Sequence, residues 1–191
     1  MARYPTTQEL IIGGVEARAE THGQWVPAGD PGALRATGEY LALQLARVLL
    51  NVTLKDCEET KTLTLFETVW ENLWDYRLNI GLAKVALVDT EGFQHRDRRS
   101  ETLAVHEVLD PSTGRFRPIK LPERESTLEG NSRVRMLLWF DSLPRGVVPS
   151  RLSVEQLVFS PGATSGRSTL SETIEMSFLD AKLVPATRVL S

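Results

Sequence analysis

Thr173-Ile174-Glu175-Met176-Ser177-Phe178 puts Ile174, Met176 and Phe178 on one side of an extended chain and Thr173, Glu175 and Ser177 on the other. Alternation with a period of two is the mark of a β-strand with one face in a core and the other in water. Arg133-Val134-Arg135-Met136-Leu137-Leu138-Trp139-Phe140 repeats the pattern with a difference. Val134, Met136, Leu138 and Phe140 form its inward set, while the outward set changes from Arg133 and Arg135 to Leu137 and Trp139. This predicts a strand that starts wet and ends covered on both faces.

Around these two strands, short apolar runs recur between turn signals: Pro27 to Gly32, Asp89 to Gly92, Asp110 to Gly114, Glu129 to Asn131, Pro144 to Gly146 and Ser160 to Gly166. Such punctuation belongs to a many-stranded antiparallel protein. Thr102 to Leu109 and Phe116 to Leu121 flank Asp110-Pro111-Ser112-Thr113-Gly114 and read as a hairpin, with Gly114 free to take positive φ. Tyr40 to Leu50 alternates through Leu41, Leu43 and Leu45, although Leu41, Leu45, Val48 and Val52 also fit a helical face; the strand is favoured. Glu67 to Leu78 differs, because Trp70, Leu73, Trp74 and Leu78 share one helical stripe and Glu71, Asn72, Asp75 and Arg77 lie off it. The expectation is therefore an antiparallel β-sandwich with one short helical segment near 67–78. No repeat or linker divides the chain. It reads as one domain over 1–191, with an N-terminal extension 1–38 and an extra C-terminal strand pair within 168–190.

Three stretches carry a family resemblance. Leu49-Leu50-Asn51-Val52-Thr53-Leu54-Lys55 runs through the polar segment Asp56 to Lys61 into Thr62-Leu63-Thr64-Leu65. Val85-Ala86-Leu87-Val88-Asp89-Thr90-Glu91-Gly92-Phe93 is an apolar strand closed by Asp, two residues, Gly and an aromatic. Leu128-Glu129-Gly130-Asn131 leads into the strand ending at Asp141, then Leu143-Pro144-Arg145-Gly146 and Pro149-Ser150-Arg151-Leu152. Together these cover roughly residues 40–160 and resemble the telokin-like, immunoglobulin-fold family of bacterial proteins of unknown function. The resemblance implies an immunoglobulin-like sandwich in which the last stretch forms a terminal strand pair. Its motifs are structural, so they say little about function. A Leu-x-Gly-Asn turn before a long amphipathic strand, then a Pro-Arg-Gly turn and another strand, points independently to antiparallel neighbours in need of a second sheet.

Composition excludes several classes of function. The chain has 191 residues, 41% hydrophobic, with 22 Lys+Arg against 25 Asp+Glu and a net charge of -3. There is no basic footprint for nucleic acid or an anionic membrane. A single cysteine, Cys57, excludes an intramolecular disulfide framework and a Cys-rich zinc site. The most apolar long stretch, Tyr40 to Leu54, is interrupted by Gln44, Arg47 and Asn51, whereas a spanning helix needs about 20 mainly apolar residues. Membrane insertion is not expected. Met1 to Gly14 has no signal-peptide h-region, so the expected compartment is the cytoplasm if Met1 is the native start and extracytoplasmic if a leader has been removed.

Chemistry-bearing residues are few. Among His22, His95 and His106, none has a His or Cys at ligand spacing, so a metal site would have to be assembled by folding from His95-Arg96-Asp97 and His106-Glu107. Cys57 stands among Asp56, Glu58 and Glu59, whose charges disfavour a thiolate. The same acidic turns have no EF-hand spacing for calcium. No Gly-x-Ser-x-Gly elbow, Gly-x-Gly-x-x-Gly or Walker loop occurs. The group Phe66, Trp70, Trp74 and Tyr76 suits a carbohydrate or peptide groove, and at helical spacing it equally suits a core. Outward Leu137 and Trp139 suit a partner interface, self-association or cover by the 66–82 segment.

The expected function is thus a binding or structural module without catalytic residues, cofactor or metal, holding a protein partner or a second copy through loops or a sheet edge. Trp70, Trp74, Tyr76, Leu137 and Trp139 are its candidate contact residues. The rivals are a metal-dependent enzyme built on a sandwich around His95, His106 and carboxylates, and a self-assembling structural protein.

Overall fold

A computed structural model describes residues 4–29, 33–56, 59–98, 107–119, 125–159 and 170–187. In chain order the first strands are β1 (Gln8–Ile11), β2 (Gly14–Thr21), β3 (Gln24–Pro27), β4 (Arg35–Thr37) and β5 (Leu41–Asp56). Then come β6 (Glu59–Asn72), β7 (Leu78–Asp89), β8 (Gln94–His95), β9 (Glu107–Asp110) and β10 (Arg115–Pro118). The last are β11 (Glu125–Leu128), β12 (Arg133–Asp141), β13 (Pro149–Phe159), β14 (Leu170–Leu179) and β15 (Lys182–Pro185). They form two antiparallel sheets packed face to face as a sandwich. No helix occurs among the described residues, so none is long and apolar enough to cross a membrane.

Sheet I is built on the long β5–β6 hairpin. β12 pairs the far edge of β6, and the far edge of β5 is shared by β4, by β1 with β15 beyond it, and by β9 with β10 beyond it. Sheet II runs β11-β7-β13-β14-β2-β3, and β8 also pairs β7. At two corners a two-stranded ribbon bends from one sheet into the other. On one side β1 and β2 run against β15 and β14. The bend falls at Gly13, where an added Cβ would lie 2.8 Å from the Asp180 Cβ, so a larger residue would force the ribbon apart. On the other side β6 and β7 run against β12 and β11. Asn72 fills this second corner with its side chain fully buried.

Two clusters hold the sandwich. The main one lies between the sheets and includes Leu43, Leu45, Phe66, Trp70, Phe140, Ile174 and Met176; the Phe66 and Phe140 rings meet edge to face at 5.5 Å. The second lies on the outer side of sheet I, where Leu49, Val52, Leu65, Leu137 and Trp139 meet Val108 and Ile119 of the β9–β10 hairpin region. β5 serves both clusters because it carries two bulges, each adding one residue, between Leu45 and Arg47 and between Leu49 and Val52. Asn51, in the second bulge, has φ of 59°. Beyond the covered half, the same outer face carries charge: Glu71 meets Arg35 at 2.8 Å and Arg133 at 3.5 Å, and Glu67 pairs with Arg135.

Several expectations hold in detail. β14 turns Ile174 and Met176 inward, and β12 is exposed at Arg133 and buried from Met136 to Phe140. β9 and β10 pair across the Asp110–Gly114 turn, with Gly114 at φ 67°. Others need correction. The 67–78 segment is not helical: β6 continues to Asn72, a bend follows, and β7 begins at Leu78. The apparent helical stripe joins one strand end, a bend and another strand start, and pairing of β6 on both edges holds it extended. The described part of residues 1–38 is built into the sandwich, with β1 and β4 paired in sheet I and β2 and β3 in sheet II. β14 and β15 are not a pair but members of different sheets, as are β12 and β13.

Candidate binding site

The expected contact residues fall into two groups. Trp70 is fully buried in the main core, opposite Leu43 and Val134. Leu137 and Trp139 are buried in the second cluster, because the bulged β5 turns Leu49, Val52 and Leu54 to their side and the β9–β10 region closes over them. The expectation that these three face a partner is therefore corrected: each supplies core area. Cover for Leu137 and Trp139 comes from this region and not from the 66–82 segment. Trp74 and Tyr76 lie in the bend after Asn72. Trp74 stacks on Tyr40 at 5.4 Å, meets Tyr76 edge-on at 5.1 Å, and donates Nε1–H to the Glu39 carbonyl at 3.0 Å. Tyr76 is exposed, which leaves an aromatic corner whose outermost ring faces water.

His95 is committed locally. Its Nε2 lies 2.6 Å from Oδ2 of Asp89. Oδ1 of the same carboxylate accepts the N–H of Glu91 at 2.8 Å and of Phe93 at 3.0 Å, which shapes the Asp89–Phe93 turn with Gly92 at φ 88°. Burial alone would raise the Asp89 pKa; the His95 hydrogen bond and these two N–H groups together outweigh it and hold the carboxyl below its usual value. His106 and Cys57 lie outside the described residues. Among the described residues, no group of three or more His, Cys, Asp or Glu side chains is placed to hold a metal ion.

A concave surface forms elsewhere, on the β2–β3–β14 end of sheet II. It begins with a two-residue hairpin: His22 and Gly23 both take positive φ, at 54° and 76°, the pattern that closes a tight antiparallel turn. The turn brings β3 back along β2, with Trp25 opposite Glu20 and Pro27 opposite Arg18. Trp25, Pro27, Arg18, Glu175, Ser177 and Leu179 then line a groove of about 650 Å³. The Arg18 guanidinium lies over the Trp25 ring at 4.2 Å and pairs with Glu175 at 3.0 Å. Trp25 remains 41% exposed. β3 is the end of its sheet, so no strand among the described residues shields its far edge.

Sequence reasoning missed Trp25. A four-residue strand is too short to show periodicity, and the usable signal was local: His22-Gly23 between Glu20-Thr21 and Gln24-Trp25 has the make-up of a two-residue hairpin. Fold and groove together define a class, an all-β sandwich with an aromatic-rimmed groove at the edge of one sheet. Compared with family models, with curated proteins and with solved structures, the chain matches none.

Proposed function

We propose that this protein is a non-catalytic binding module whose recognition surface is the groove beside β3. One observation carries the reading. Of seven large apolar side chains exposed among the described residues, Trp25 and Leu179 stand on this face of sheet II and Val26 lies at its edge, and exposed apolar side chains beside a groove mark interaction sites. The telokin-like resemblance over roughly 40–160 supports it by implying a scaffold of immunoglobulin type. Against the metal-enzyme alternative stands the engagement of His95 with Asp89. Against simple strand addition at the sheet edge stands Pro27, which offers no N–H, on a strand only four residues long.

The test compares wild type, Trp25→Ala and Tyr76→Ala in affinity capture from the native source, with light scattering over a range of concentrations. Retention lost in W25A and kept in Y76A supports the groove. Loss in Y76A alone moves recognition to the aromatic corner. Capture unchanged in W25A refutes the groove, and mass rising with concentration favours self-assembly.

A further inference from the structure

We infer that Glu172 and Gln156 form a proton-operated catch on the turn that carries the aromatic corner: the carboxylate grips the turn, and the protonated carboxyl gives its O–H to Gln156 and slackens that grip. Glu172 lies on β14 between its cross-strand partners Thr21 on β2 and Gln156 on β13, and it is fully buried. Its Oε1 accepts the Glu39 N–H at 2.6 Å and its Oε2 the Tyr40 N–H at 2.9 Å. A Cβ on Gly38 would run into this carboxylate, so the turn between β4 and β5 is moulded on it. The two gripped residues are also those that hold the corner. The Glu39 carbonyl accepts the Trp74 Nε1–H at 3.0 Å, the Tyr40 carbonyl accepts the Leu73 N–H at 2.9 Å, and the Tyr40 ring stacks on Trp74 at 5.4 Å.

Gln156 supplies the other half. It is fully buried directly opposite Glu172, at the cross-strand spacing of about 4.5–5.5 Å between Cβ atoms, with apolar Leu82 on its far side. Its Nε2 reaches the Met136 sulfur at 3.7 Å, while its Oε1 has no hydrogen-bond partner among the described residues. A buried acceptor without a donor is costly. Glu172 becomes a donor to it on protonation, because an ionised carboxylate has no proton to give. The protonated oxygen is then a poorer acceptor, and one of the two turn N–H groups loses its hold. Charge around the pair comes from the turn, from Glu39 with His22 at 3.8 Å beyond it, and Tyr40 is the other titratable group there; Thr21 and Gln156 carry none. Burial, with the Glu39 charge behind it, raises the Glu172 pKa against the opposing turn N–H groups, so the change falls above the ordinary 4.5. The fold as a whole holds the proton tightly while the turn yields one bond, so local order and global stability move in opposite directions.

The test is an NMR titration of the full chain from neutral to acid pH. It follows the side-chain carboxyl carbon of Glu172, the side-chain carbonyl carbon of Gln156, the amide N–H of Glu39 and Tyr40, and the Trp74 indole N–H. In wild type these should move together with one midpoint above 4.5, one of the two amide protons shifting upfield as its hydrogen bond is lost. Gln156→Met removes the acceptor of the protonated form and should lower the midpoint by about one pH unit, the worth of one hydrogen bond. Glu172→Gln should abolish the step. In wild type alone, a Glu172 carboxyl that titrates while Gln156, both amides and the Trp74 indole stay in place overturns the inference. A midpoint unmoved or raised in Gln156→Met overturns it, since Gln156 would then serve the charged form or neither. An amide step that persists in Glu172→Gln belongs to Glu39 or His22 and overturns it as well.

Discussion

Replacing Asn72 by aspartate should destabilise this protein more than replacing it by alanine, although aspartate is the closer match in shape. At the corner where β6 bends toward β7, Asn72 Nδ2 donates to the carbonyls of Tyr76 at 2.8 Å, Glu129 at 3.2 Å and Leu128 at 3.3 Å. Its Oδ1 accepts the Trp74 N–H at 2.9 Å. One amide thus joins the bend to the β11–β12 connection, in a place with no exposed side-chain surface. Alanine leaves the Trp74 N–H and at least one carbonyl without their protein partner. At roughly 1–3 kcal/mol for each orphaned group, and with water able to reach the Tyr76 side, the loss is about 3 kcal/mol. For a domain of this size that lowers Tm by about 6–12 °C. Aspartate keeps the acceptor for Trp74 but turns an oxygen toward three carbonyl oxygens, and its charge is buried. Asn72→Asp should therefore fall below Asn72→Ala in urea midpoint at neutral pH, with unchanged m-value, and recover part of the difference on acidification as the carboxyl protonates. Asn72→Asp as stable as wild type, or more stable than Asn72→Ala, would refute the donor role and with it this account of the corner.

Three further outcomes follow from buried polar groups and one bulge. Glu172 is held by the N–H groups of Glu39 at 2.6 Å and Tyr40 at 2.9 Å, yet burial pushes its pKa above the ordinary 4.5; the folded chain then binds this proton more tightly than the unfolded one. Its contribution to stability is full below that ordinary value and is lost as pH rises through the raised one, so Glu172→Gln should flatten this part of a Tm–pH curve. Asp89 acts with the opposite sign: its lowered pKa supplies stability above the ordinary 3.8 that is lost as pH falls through the folded value. Asp89→Asn should cost about 2 kcal/mol at neutral pH by removing the charge-assisted bond to His95, measured by urea unfolding; wild-type stability would show the bond dispensable. Asn51, at φ 59°, should tolerate glycine, whereas Asn51→Val should cost about 1–2 kcal/mol more than Asn51→Gly in the same assay.

Strands with an uninterrupted period of two were legible from the sequence, together with which side faced in. β14 and β12 belong here, down to the change on the outer face of β12 between Arg135 and Leu137. So do the turns at Asp89–Gly92 and Asp110–Gly114, whose residues carry their own conformational demand. β5 was ambiguous for a physical reason: an extra residue after Leu45 makes the next inward residue Val48, and a spacing of three inside a strand imitates a helix. The 67–78 stripe misled because residues on both sides of a bend were counted as one period. The groove was not legible: the place of Trp25 comes from Arg18 and Glu175, which are distant in sequence or on another strand.

By itself, then, the sequence determined an all-β protein without disulfide framework or Cys-rich metal site, because strand periodicity, turn chemistry and cysteine count are local or compositional properties. Only the tertiary structure decided which strand belongs to which sheet, since consecutive pairs such as β1–β2, β12–β13 and β14–β15 each change sheets. It also decided that Trp70, Leu137 and Trp139 are core while Trp25 is surface. An indole is equally suited to either setting, and what separates them is the covering supplied by residues far away along the chain: the opposite sheet over Trp70, the β9–β10 region over Trp139, and, among the described residues, no further strand beside Trp25.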